Sequence, residues 1–391
     1  MVELHLIHSI CYLSIPEEDR LSWRENPMEH SDGHEHIWGC FDENGKLYSS
    51  LAAIPIITQF NNKPMKAIAY QGAVTLPEAR NKGYIREIFK AIFADMKENE
   101  QLFSYGYPFS YSYYRKFGLE HIYTRYEYEF PLYQLSTYTY PNALKEYSKD
   151  TCFEDFKKIY DVFIKDKNLA IIRSDEDWKN LMNRDPYLRR EFTYINYNDN
   201  GNPDAYILYK PEKKGEDFDF ALSIQELAWS APEGLHAILG FLYGLRSEYN
   251  AVRWEVPDCI DIYTLLPDSW DISKRMKSGC MNRIPDLPKV LDRLIAPPDI
   301  PNGSVVVDVT DKFLSYNSGR YLISWETGEI NVSKTDKNPD FVTDIETFTQ
   351  IITGFITPSQ ASIKRGIQII SNEEKLDKLF PKRHLYMIEH W

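Results

Sequence analysis

Between Tyr70 and Leu119 the sequence runs strand, glycine-marked turn, amphipathic helix, strand and tyrosine-rich turn, and this order constrains the fold more than any other stretch. The turn, Arg80-Asn81-Lys82-Gly83-Tyr84-Ile85-Arg86, is basic and opens a helix directly after a strand. The first amides of a helix have no intrahelical partner and carry a partial positive charge, so such a turn can hold pyrophosphate oxygens. Gly83 lets backbone approach closely. Arg80, Lys82 and Arg86 add countercharge. Behind the turn, Ile85, Ile88, Phe89, Ile92, Phe93 and Met96 recur at helical spacing, a full apolar stripe. A phosphate-bearing cofactor is the expectation.

The rest of the chain sets limits. Its 391 residues exceed a single typical core, so two or three domains are expected. Lys and Arg number 45 against 58 Asp and Glu, a formal charge of −13. An acidic surface repels nucleic acid and anionic membranes and attracts cationic small molecules or basic peptides. Cys11, Cys40, Cys152, Cys259 and Cys280 are odd in number and widely spaced, as reduced thiols are and disulfide frameworks or zinc sites are not. Neither a signal-type segment nor an apolar run near twenty residues occurs, and a cytoplasmic protein is expected. His30, His34 and His36 surround Asp32 and Glu35, but in a polar loop without a His-Glu-x-x-His helix, so no metal is expected.

The pattern predicts an α/β (α+β) chain in three parts. Residues 1–145 hold a short helix from Pro16 and two hairpins, around Asp42–Gly45 and Asn61–Pro64. The segment described above follows, and an alternating strand at Tyr126, Tyr128 and Phe130 closes the part. Residues 146–284 repeat hairpin, strand, helix and strand, with Pro232-Glu233-Gly234 where the first part has its basic turn. No cofactor is expected there. Residues 285–391 begin with a proline-rich, linker-like stretch and continue as strands, then helices around 345–354 and 358–366. The chain ends Leu385-Tyr386-Met387-Ile388-Glu389-His390-Trp391, apolar enough to dock.

Arg80-Asn81-Lys82-Gly83-Tyr84-Ile85 resembles the pyrophosphate motif Arg-x-x-Gly-x-x of the GCN5-related N-acetyltransferases (GNAT), with Ile85 where Gly or Ala is frequent. A larger apolar residue there is similar to the Eis (enhanced intracellular survival) branch. Tyr114-Arg115-Lys116-Phe117-Gly118 resembles that branch's Tyr-x-Arg-Phe-Gly signature, with Lys116 in place of Arg. The resemblance implies two tandem acyltransferase domains, the second degenerate, and a C-terminal domain similar to sterol carrier proteins. It implies acetyl-coenzyme A as co-substrate, bound by Arg80 to Arg86, with Ala73, Val74 and Thr75 pairing with the pantetheine arm. Phe109 and Ser110 would lie near the thioester.

By the same resemblance Tyr114 is the proton donor to the departing thiolate, with Tyr111 and Tyr113 as near alternatives. Phenol and alkyl thiol have similar pKa values, so that transfer is close to thermoneutral. The resemblance assigns the base to the main-chain carboxylate of Trp391, with Glu389 and His390 as competitors. Its unperturbed pKa, about 3.3–3.7, is a poor match for an ammonium until burial raises it. The acceptor is a primary amine, of a polycation such as an aminoglycoside or of a lysine side chain, and a homo-oligomer, as large as a hexamer, is implied. The alternatives are a lipid or small-molecule carrier with a vestigial transferase site, which calorimetry with acetyl-coenzyme A separates, and a protein-lysine acetyltransferase, which turnover on aminoglycosides against lysine peptides separates.

Overall fold

Two asparagines decide the longest hairpin. The computed structural model describes residues 2–25, 36–141, 143–147, 153–215, 219–298 and 300–389. In it Asn61 and Asn62 have φ of 51° and 60°, the left-handed pair of a two-residue turn whose twist matches its strands. The expected four-residue loop therefore shrinks. Strand β2 (Leu47–Phe60) pairs along its length with β3 (Lys63–Thr75), and β1 (His36–Phe41) lies on its other edge. Before them come α1 (Val2–Cys11) and α2 (Glu17–Glu25). Helix α3 (Tyr84–Glu98) buries all six residues of its predicted stripe. Next come β4 (Phe103–Gly106), parallel to β3, the short α4 (Tyr111–Tyr114) and β5 (Glu120–His121).

The strand expected to close the first part does not belong to it. β6 (Arg125–Pro131) enters a second sheet, between β11 (Ala251–Pro257) and β12 (Ser273–Lys277). Its alternating charges suggested an open face, but cross-strand pairs cover them: Arg125 with Glu255, Lys277 with Glu127 and Arg253 with Glu129. The sheet continues through β10 (Phe220–Trp229), β9 (Pro203–Lys213), β8 (Phe192–Tyr197) and β7 (Leu144–Glu146). Alternate residues of β9 feed two cores. Ala205, Ile207 and Tyr209 pack with α7 (Pro232–Gly244). Tyr206 and Leu208 pack with α5 (Glu154–Ile164) and α6 (Asp175–Met182).

The chain then returns. β13 (Met281–Arg283) inserts between β4 and β5 and completes the first, six-stranded sheet. The proline-rich stretch is no linker, because α8 (Leu287–Leu291) forms inside it and buries Leu287, Val290 and Leu291. A five-stranded sheet follows: β14 (Gly303–Thr310), β15 (Gly319–Glu326), β16 (Glu329–Lys334), β17 (Phe341–Asp344) and β18 (Gln368–Ile369), with α9 (Ile345–Thr353). The helix expected over 358–366 stops at Ala361.

The whole forms two compact units. One comprises Met1–Ile122, Cys280–Arg383 and Glu389–Trp391, the other Tyr123–Gly279 and His384–Ile388. Within the second unit the aromatic C-terminal segment docks as expected: Leu385 bridges Asn168, and Tyr386 packs edge-on against Phe163 at 5.1 Å. No helix among the described residues is long and apolar enough to cross a membrane.

Candidate active site

β3 and β4 pair only from Ala67 to Ala69, after which they part. Just beyond, Leu51 of β2 stands opposite two residues, Gly72 and Ala73, with Gly72 at φ 67°. This glycine bulge bends β3 away from β4. Residues 70–75 thus present an edge without a strand partner on the β4 side. Into the gap opens a cleft of about 900 Å³. Its edge is touched from the end of α1, where Cys11 Sγ donates to the Thr75 carbonyl, and from the next residue, Tyr12, whose hydroxyl donates to that of Ala73, both at 3.4 Å.

At one end lies the basic turn. Asn81 (φ 63°) and Gly83 (φ 86°) are both left-handed, and no side chain caps the start of α3. Gly83 has open space where a Cβ would stand. The leading amides of α3 therefore face the cleft uncapped, beside Arg80 and Arg86.

At the other end is the tyrosine turn. Ser110 is the N-cap of α4, its Oγ accepting from the Tyr113 amide at 3.4 Å. A three-residue 3₁₀ turn, Arg115–Phe117, follows α4 and ends at left-handed Gly118. Arg115 folds away onto Glu120 with two hydrogen bonds of 2.9 and 2.7 Å. Tyr114 is only 9% exposed. Its ring sits among Tyr113 (5.3 Å), Phe109 (5.5 Å) and Phe89 (6.2 Å). Burial, reinforced by Tyr113 and Tyr12, pushes its phenol well above the usual range. Such a phenol stays protonated at ordinary pH and keeps a proton to give.

The cleft gathers Ala73, Val74, Thr75, Arg80, Asn81, Gly83, Tyr84, Ile85, Arg86, Phe109 and Tyr114 in one lining. Lys82 and Ser110 stand outside it. Trp391 and His390 lie outside the described residues, as do His30, His34 and Cys152. Among the described residues no cluster of His, Cys, Asp or Glu is arranged to hold a metal.

Chains of this architecture are known. A GCN5-related N-acetyltransferase from Anabaena variabilis superposes with a TM-score of 0.83 at 20% identity, covering 100% of this chain and 97% of its own. A conserved protein of unknown function from Enterococcus faecalis gives 0.81 at 20%, covering 98% and 94%. Eis1 from Mycobacterium abscessus gives 0.79 at 16%, covering 99% and 96%. At such identities the likeness is one of fold. No curated protein matches the sequence. Family models decide the rest: acetyltransferase (GNAT) domains match residues 4–122 and 169–284, and a sterol carrier protein domain matches 287–388. The chain carries two GNAT acetyltransferase domains and a sterol carrier protein domain.

The cleft of this GNAT acetyltransferase is also lined by residues that sequence reasoning passed over. Lys116 lines the cleft, its ammonium 5.5 Å over the Tyr113 ring. Tyr12, Cys11 and Tyr107 line it too, as does Met281 from β13. Lys116 had a signal, standing where the signature carries Arg. Met281 had none, since only the return of the chain brings it there. The lining is aromatic and basic, and among the described residues it includes no Asp or Glu.

Proposed function

We propose that this protein transfers acetyl from acetyl-coenzyme A directly to a primary amine, with Tyr114 as the general acid. One observation carries the reading: an uncapped helix start, an unpaired strand edge and a buried tyrosine converge on one cleft. The amides of α3, with Arg80, Arg86 and Lys116, would take the phosphates, and Lys82, outside the cleft, would add only long-range countercharge. The edge at Ala73, Val74 and Thr75 would pair with the pantetheine amides as an added strand does. Phe109, 74% exposed, would pack near the thioester beside the Ser110-capped turn.

In the transfer the amine forms the new C–N bond as the C–S bond breaks. Tyr114 gives its proton to the leaving sulfur, and the amine's surplus proton passes to a base. We assign that base, by the family resemblance, to the Trp391 carboxylate, acting directly or through one water. A cytoplasmic setting and a homo-oligomer as large as a hexamer belong to the same reading.

Calorimetry with acetyl-coenzyme A tests the core of it. Binding heat and a raised melting temperature are expected, and the absence of both at micromolar cofactor would sink the transferase. Turnover on an aminoglycoside panel against lysine peptides then identifies the acceptor class. A protein extended beyond Trp391 should lose activity with its fold intact, and normal turnover would exclude the terminal carboxylate.

A further inference from the structure

The turn that carries Tyr114 is too short to stand alone. α4 has four residues and the following 3₁₀ turn three, well below the length at which a helix is stable without packing. The sterol-carrier-type domain (287–388) reaches both ends of the turn, the far end directly through Phe313 and through Arg283 of β13, the near end through His121 of β5. At the far end, Gly118 lies against Arg283: a Cβ there would stand 2.3 Å from Nη1, which donates to the Gly118 carbonyl at 3.4 Å. Arg283 is wholly buried and pairs through Nη2 with the equally buried Asp311.

Asp311 is saturated. Its Oδ2 also accepts from Asn317 Nδ2 at 3.0 Å, and its Oδ1 accepts from the amides of Phe313 (3.0 Å) and Leu314 (2.9 Å). Those bonds shape a loop that drives the Phe313 ring edge-on against Phe117 (5.6 Å) and Phe93 (5.9 Å). The Arg86 guanidinium lies 5.5 Å over the same ring. At the near end, Tyr111 packs edge-on on His121 at 5.3 Å. The carbonyl of His121 accepts from Gln350 Nε2 at 2.6 Å, and its ring meets Phe355.

From these contacts we infer that the sterol-carrier-type domain acts as a clamp on the catalytic turn, with Phe313, set by Asp311, as a positioning residue for Tyr114. The inference rests on the acid role given to Tyr114 above. It assigns this domain a task in the transfer that needs no lipid. The ring of Phe313 fills the space between Phe117 and Phe93, so its removal lets the turn shift relative to α3.

Asp311→Asn strands the buried Arg283 charge and is expected to unfold the unit, so the test uses Phe313→Ala and Phe313→Leu in the full chain. Three quantities are measured: melting temperature, amide exchange of residues 111–118, and the rates of acetyl transfer to kanamycin and of acetyl-coenzyme A hydrolysis. Hydrolysis needs no acceptor. Phe313→Ala should quicken exchange in 111–118 while β8 to β10 keep theirs. Both rates should fall roughly 10- to 10²-fold, the scale of a catalytic group displaced by about 1 Å. Phe313→Leu should recover most of the loss. In a Tyr114→Phe background Phe313→Ala should cost less than about twofold, since residues acting as a unit are not additive.

Unchanged exchange in 111–118 in a folded variant overturns the clamp, and so does an equal rate loss in both backgrounds. If Tyr114→Phe alone leaves the rates intact, the acid assignment falls, and the exchange of 111–118 still decides the clamp.

Discussion

The first and second sheets meet the same problem at the same place and solve it oppositely. In each, two parallel strands lead to a helix: β3 and β4 beside α3, β10 and β11 beside α7. In the first, left-handed Asn81 and Gly83 leave the helix start uncapped and open. In the second, Pro232 at the first turn contributes no N–H and Glu233 adds negative charge where phosphate would sit. Gly234 is closed in by backbone, since a Cβ would fall 2.6 Å from the Asp204 carbonyl. Glycine opens one helix start and shuts the other. What distinguishes the open helix start from the closed one is the company of the glycine.

Experiments that break this contrast can be ranked. Tyr114→Phe should lower kcat about 10²-fold or more, with acetyl-coenzyme A affinity within about twofold, and the second domain has no counterpart to rescue it. A normal kcat would remove the acid. Gly83→Val should weaken cofactor binding roughly 5- to 30-fold, as a left-handed side chain costs about 1–2 kcal/mol. Calorimetry measures this, and unaltered affinity would mean the turn is not the phosphate seat. Arg86→Ala should cost about two- to fivefold, less at high salt, because exposed charges are screened.

Gly234→Ala is the mirror experiment. It should destabilise the second unit by about 1–3 kcal/mol through overpacking, read as a lower melting temperature, and leave cofactor affinity untouched. The smallest effect concerns pH. Burial raises the Tyr114 pKa, so the proton stays on beyond about pH 10, where a free phenol loses it. The kcat profile should therefore not fall between about pH 8.5 and 10 on account of Tyr114. A fall there that vanishes in Tyr114→Phe would contradict that direction.

Much of the first site was legible because its parts lie within fifty residues and announce themselves locally. Helical spacing marked the stripe of α3, Gly83 marked the turn, and the Tyr114–Gly118 signature marked the tyrosine turn at the other end of the cleft. Long-range pairing was not legible. The strand at Tyr126 alternates like an edge because its charges are neutralised by Arg253, Glu255 and Lys277, residues far along the chain. The prolines around 285–301 masked α8, since Pro288 is well tolerated in a first helical turn while its apolar neighbours bury. Arg283 gave no local sign of lying beneath Gly118.

The late arrival of β13 has a consequence for how the protein is made. Residues 281–283 complete a sheet whose neighbouring strands are synthesised by residue 121. At about 5–20 residues per second, a ribosome needs roughly 8–30 s to span that interval. Throughout it β4 and β5 wait with bare edges, and the floor of the cleft under Met281 is missing. A fragment ending at residue 145 should for this reason aggregate rather than bind coenzyme. The nascent acetyltransferase cannot mature from its own N-terminal segment. Completion of its sheet therefore waits until the chain has been translated past residue 283.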